Sequence, residues 1–163
     1  MTTSAIRPRT VLVLAGRRSG EDPLGEAAGA KHRALLEIEG EPMLLRVLRR
    51  LLGFDGIERT LVNFDSPALL DELPAWADLR DRGLAELLQS THSPSLSVLE
   101  SLGPAGLDDG PVLVTTADHA LLDDEMLETF FSACEEQIAD VYVALVPRTK
   151  NLERFPEAKR TYL

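Results

Sequence analysis

Residues 11–16 read VLVLAG, a run of aliphatic side chains that stops at glycine. A run this short and this continuously apolar fits a strand covered on both faces, the habit of parallel strands in the middle of a sheet. Gly16 opens a long loop, GRRSGEDPLGEAAGAKHRA over 16–34, with four glycines, one proline and mixed charge. Loops of that length without structure of their own are functional or disordered. A second stretch, PVLVTTADH over 111–119, repeats the pattern of a buried strand ending in a polar tip.

Between and beyond these stretches, strand and helix signals alternate. LLEI over 35–38 reads as a short extended piece closed by a Glu39-Gly40 turn. Pro42 sits where a helix begins and Gly53 where it stops. Met43, Val47, Leu48, Leu51 and Leu52 recur at helical spacing there, opposite Arg46, Arg49 and Arg50. RTLVNF over 59–64 reads as a strand, and Ser66-Pro67 as the start of a short helix over 66–73. Residues 74–90 are ambiguous, with a strand placed near ELLQST. Ser93-Pro94 is expected to begin a helix through Ser95–Leu102, and a turn is expected over 105–110. A further helix is expected from Asp123 to Ile138, its acidic first turn matching the helix dipole. A last strand, DVYVALV, is expected over 140–146. This alternation specifies an α/β fold with a mainly parallel, doubly wound sheet.

The 163 residues, 44% hydrophobic and 27% charged, suit one globular domain over 1–163. A net charge of −10 argues against a nucleic-acid partner, because phosphate contacts need a basic face. No apolar run is long enough to span a membrane, and the start lacks a signal-peptide pattern, so a cytoplasmic protein is expected. A single cysteine, Cys134, excludes an internal disulfide and a cysteine-rich zinc site, and its place on an apolar helical stripe reads as core. His32, His92 and His119 have no zinc-ligand spacing.

In open parallel sheets, ligands sit beyond the carboxyl ends of the strands. That rule selects the loop after VLVLA and the segment Thr115-Thr116-Ala117-Asp118-His119. The loop offers backbone N–H groups with Arg17, Arg18, Lys31 and Arg33, the equipment of a polyphosphate cradle. The same composition also suits a solvated surface loop. It is neither a dinucleotide fingerprint nor a P-loop, whose glycine spacings fail here. Asp118 at a strand end can hold Mg²⁺ while phosphates complete the shell, or it can cap the turn that follows.

VLVLAG, the basic glycine-bearing loop and RALLEIEGEPMLLRVLRRL together resemble the opening of MobA-like nucleotidyltransferases, roughly LAGG-x-G-x-R-M-G…K-x-L…G-x-P-M-L. PVLVTTADHALLDDEML resembles that family's metal-aspartate strand, and SPSLSVLESL the segment that approaches base and ribose. The resemblance covers about 10–146. It implies a Rossmann-like three-layer α/β/α sandwich of the nucleotide-diphospho-sugar transferase type. Leu14, Ala15 and Gly16 match the family loop, whose second glycine is Arg17 here. Arg17 and Arg18 are the candidates for its phosphate-binding arginine. Arg33, rather than Lys31, falls at the family lysine, and Asp118 falls at the metal aspartate. Ser95 and Ser97 fall in the nucleotide-contact segment.

The resemblance implies an Mg²⁺-dependent enzyme that transfers a nucleoside monophosphate from an NTP to a small phosphorylated acceptor. Sugar phosphate, polyol phosphate and molybdopterin are the acceptors it allows. Arg33 and Asp118 would be catalytic. The alternative is a non-catalytic nucleotide-binding or regulatory module on the same fold. The family pattern also implies further strands, an acceptor-binding part and a second metal aspartate past Leu163, so the domain is expected to be truncated there, with RTYL opening another strand.

Overall fold

Thr10–Leu14 (β1) is a strand because Val11, Leu12 and Val13 are completely buried, and the β-branched valines fit a pleated surface. This was established in a computed structural model that describes residues 7–17, 23–103, 110–136 and 138–157. Arg18, the RTYL end and all but Gly110 of the expected 105–110 turn lie outside these residues.

After β1 come Pro23–Ala27 (α1) and a short 3₁₀ turn, Arg33–Leu35. Glu37–Ile38 (β2) and Glu41–Pro42 (β3) then pair as a small hairpin. Its two turn residues, Glu39 at φ 53° and Gly40 at φ 78°, both adopt the left-handed region that a tight hairpin turn needs. Met43–Gly53 (α2) follows, with Pro42 as its N-cap. Arg59–Phe64 (β4) leads to Pro67–Asp71 (α3), Pro74–Asp81 (α4) and Ala85–Gln89 (β5). The chain continues through Pro94–Leu102 (α5), Val112–Thr116 (β6), Asp124–Glu135 (α6) and Arg148–Arg154 (α7).

The main sheet has the order β5-β4-β1-β6, and every neighbouring pair is parallel. The chain steps outward from β1 through β4 to β5, then crosses back to place β6 on the other side of β1. That reversal makes the gap between β1 and β6 a topological switch point. Helices cover both faces. Val11, Val13, Val62 and Phe64 point toward Leu44, Leu48 and Leu51 of α2 and Trp76 of α4. The alternate residues Leu12, Leu61 and Asn63 face the other way, where Asn63 donates to Ser101 of α5 at 2.8 Å. The α/β/α sandwich with a parallel sheet is therefore present.

The ambiguous 74–90 stretch holds α4 and then β5. Trp76, 1% exposed, anchors this helix in the core. Arg46 does not simply face water. Its Nε donates to the Ala120 carbonyl at 3.1 Å, tying α2 to the turn after β6. The expected strand over 140–146 does not form: residues 141–147 are irregular. They run beside α6, where Tyr142, Val143 and Leu145 line an open groove with Met126, Phe130 and Cys134. Among the described residues they belong to no sheet, and Val141, Val143, Leu145 and Val146 are 69–76% exposed. Periodicity marked this segment as sheet-forming, but a strand also requires a partner. Cys134 is buried, and burial pushes its thiol pKa up from the ordinary value, so its thiolate is suppressed.

Candidate functional site

The carboxyl ends of β1 and β6 lie side by side. Leu14 is in register with Thr116, and the Ala117 N–H donates to the Leu14 carbonyl at 3.0 Å. On the other flank, the Ala15 N–H donates to the Asn63 carbonyl of β4 at 2.9 Å. The chain is thus held flat up to Gly16 before it departs into the loop. A Cβ at Gly16 would lie 2.7 Å from the Ser90 hydroxyl, just past β5, closer than side-chain carbons come. Glycine there lets two strand ends approach over the sheet.

The return limb of the loop brings the cations back to the same place, but not all to the same job. Arg33 reaches over the strand ends, with its guanidinium 3.9 Å from the Asp118 carboxylate; both side chains are nearly half exposed. Lys31 points elsewhere and pairs with Glu72, just after α3, at 3.0 Å. Arg17 donates to the Lys31 carbonyl at 2.8 Å and lies 3.7 Å from Asp65, so it laces the outgoing limb to the returning one.

Asp118 follows β6 and keeps one carboxylate oxygen on the Thr116 hydroxyl and the other toward Arg33. The neighbouring His119 has Nδ1 on the Thr115 hydroxyl at 3.0 Å. Among the described residues, no group of three His, Cys, Asp or Glu side chains could hold a metal. Asp118 thus offers a single carboxylate, the kind of ligand a hard cation takes when phosphate and water supply the rest of its shell, and not the several-ligand set that zinc needs.

The two serines separate. Ser95 is exposed in the first turn of α5. Ser97 is 4% exposed, and its hydroxyl is used internally, accepting the Thr91 N–H at 2.8 Å. Ser97 therefore shapes the turn between β5 and α5, whereas Ser95 presents a hydroxyl to solvent.

Sequence reasoning did not single out Asp65, and it weighed His32 only as a zinc ligand. Asp65 had a visible signal, since it directly follows β4 at a strand's carboxyl end, as Asp118 nearly does for β6. His32 had none, because nothing in its neighbours marks it as buried.

Comparison with known proteins adds the following. The chain matches the MobA-like NTP transferase domain over residues 11–153. No curated protein matches it in sequence. A hypothetical transferase from Thermus thermophilus superposes with a TM-score of 0.61 at 24% identity, covering 96% of this chain and 58% of that one. CMP:2-keto-3-deoxy-manno-octonic acid synthetase complexed with CTP gives 0.54 at 19% identity, covering 78% and 48%. 4-Diphosphocytidyl-2C-methyl-D-erythritol synthase from Anaerococcus prevotii gives 0.57 at 12% identity, covering 86% and 59%. At these identities the likeness is one of fold. The chain spans roughly half to three fifths of the length of these structures.

Proposed function

The chain belongs to the MobA-like NTP transferase domain family, and from that premise we propose that it binds an NTP at the switch point and transfers the nucleoside monophosphate to a small phosphorylated acceptor. The observation that carries this reading is the meeting of Arg33 and Asp118 at the paired ends of β1 and β6. A cation for phosphate and a carboxylate for a hard metal meet where open parallel sheets bind their ligands.

In the proposed reaction an acceptor phosphate oxygen attacks the α-phosphorus. The bond from the α-phosphorus to its bridging oxygen breaks, and pyrophosphate leaves. The backbone N–H groups near Gly16 and the Arg33 guanidinium would hold the triphosphate and offset charge that builds on the leaving oxygens. Bound Mg²⁺, held by Asp118, would supply further charge neutralisation on the phosphates. The exposed Ser95 hydroxyl lies on the element where the resemblance places base and ribose. Sugar phosphates, polyol phosphates and molybdopterin all meet the requirement for a phosphorylated acceptor.

Thermal denaturation tests the binding half of this proposal. Magnesium and an NTP together are expected to raise Tm more than the sum of either alone, because Asp118 and Arg33 couple the two ligands. CTP comes first, since a synthetase of the same fold was solved with it, and ATP, GTP and UTP follow. No shift with any of the four, with or without magnesium, contradicts the proposal. The non-catalytic module would show the shift but release no pyrophosphate with any phosphorylated acceptor.

A further inference from the structure

Next to Arg33 lies a buried pair that the proposed chemistry does not use. The His32 side chain is 1% exposed, and both ring nitrogens are engaged. Nδ1 accepts the Ala34 N–H at 3.1 Å, capping the 3₁₀ turn that contains Arg33. With Nδ1 an acceptor, the ring proton sits on Nε2, and Nε2 donates to Asp65 at 2.8 Å. The ring also packs on Phe64 of β4, with centroids 4.3 Å apart. Asp65 is shared, because its other oxygen lies 3.7 Å from Arg17. Arg17 in turn holds the Lys31 carbonyl. One carboxylate at the end of β4 therefore gathers the outgoing limb of the loop through Arg17 and the returning limb through His32.

We propose that His32 and Asp65 are a positioning pair, which fixes the backbone just before Arg33 so that its guanidinium is presented over Asp118. A buried imidazole suits this task because it is rigid and offers one acceptor and one donor on opposite sides of the ring. One side sets the peptide that leads into Ala34, and the other anchors that peptide to the sheet. The consequence for triphosphate binding rests on the function proposed above; the positioning itself does not.

The test compares His32→Asn, Asp65→Ala, which leaves no acceptor for the ring N–H, their double variant and a control, Val47→Ala. Asparagine at 32 can still cap Ala34 but cannot reach Asp65, so it cuts only the anchor. Val47, 1% exposed in α2, reports what simple loss of core packing does. In the ligand-free ¹⁵N-labelled chain, the Arg33 backbone and guanidinium Nε–H resonances are expected to move in both single variants well beyond their position in Val47→Ala. The double variant should move them no further than Asp65→Ala alone, because the His32 tie is already cut there. Long-range imidazole spectra of the wild type should show the proton on Nε2 of His32. In calorimetry with magnesium tripolyphosphate, both single variants should bind about tenfold more weakly while Val47→Ala binds as the wild type, the scale of losing a partner behind a ligand-binding group.

Arg33 resonances that stay with the control in both single variants, or a His32 proton on Nδ1, overturn the positioning pair. If His32→Asn does not fold, Asp65→Ala decides alone. A wild type with no affinity for magnesium tripolyphosphate contradicts the proposed function instead, and the ligand-free spectra still decide the positioning.

Discussion

Asp118→Asn is expected to abolish the magnesium dependence of nucleotide binding while the protein stays folded. The carboxylate is nearly half exposed, and asparagine keeps an oxygen that can accept from the Thr116 hydroxyl. What the fold loses is one exposed ion pair to Arg33, worth at most about 1 kcal/mol. What the site loses is the charge that a hard cation requires. Removing partners merely behind a metal ligand weakens metal-dependent function by about 10–100-fold, so removing the ligand itself should cost about 100-fold or more. Calorimetry with CTP in magnesium and in EDTA reads the effect. Retained magnesium dependence at unchanged affinity would show that Asp118 only caps the turn after β6.

Arg33→Ala should be the most damaging change among the loop cations. Its guanidinium faces the switch point, so its loss removes a charged hydrogen-bond donor from the triphosphate, about 1.5–3 kcal/mol of binding. Lys31 lies only two residues earlier but pairs with Glu72 on the far side of the loop. Lys31→Ala should therefore cost less than about 1 kcal/mol, as for an exposed ion pair. Arg33→Lys should recover only part of the loss, because a point charge replaces a planar fork. Titrations with magnesium tripolyphosphate rank the three variants. A larger loss for Lys31→Ala than for Arg33→Ala would mean that the loop presents Lys31 to the ligand instead.

Much of the fold was legible because its decisive elements announce themselves locally. Val11, Leu12 and Val13 are buried on both sides of the sheet, RTLVNF forms β4 over its full length, and the helix after Pro42 shows its apolar stripe. Several elements were not legible, among them α1 inside the expected 16–34 loop and α7, and two cases have opposite reasons. The α4 helix carries a weak stripe and is held by Trp76, whose burial depends on distant partners. The 140–146 segment has a strong strand pattern, but pairing depends on an edge that sequence alone does not supply. At the site, the rule about strand ends located both candidate segments. It could not assign the cations, because composition treats Arg17, Lys31 and Arg33 alike. Their partners separate them: Asp65 and a carbonyl for Arg17, Glu72 for Lys31 and Asp118 for Arg33. His32 was invisible because its role arises from a contact with Asp65, 33 positions away.

The central claim is that the triphosphate sits between the ends of β1 and β6, and an amide chemical-shift map of the ¹⁵N-labelled chain tests it most directly. Titration with magnesium and CTP, then with magnesium tripolyphosphate, should move Gly16, Arg33, Ala34 and the amides from Thr116 to His119. Residues at the opposite end of the sheet, such as Thr10, Arg59 and Val112, should stay still. CTP but not tripolyphosphate should also move Ser95. Shifts confined to the opposite sheet end or to the groove beside α6, or a strand-end set that stays still with both ligands, would contradict the account.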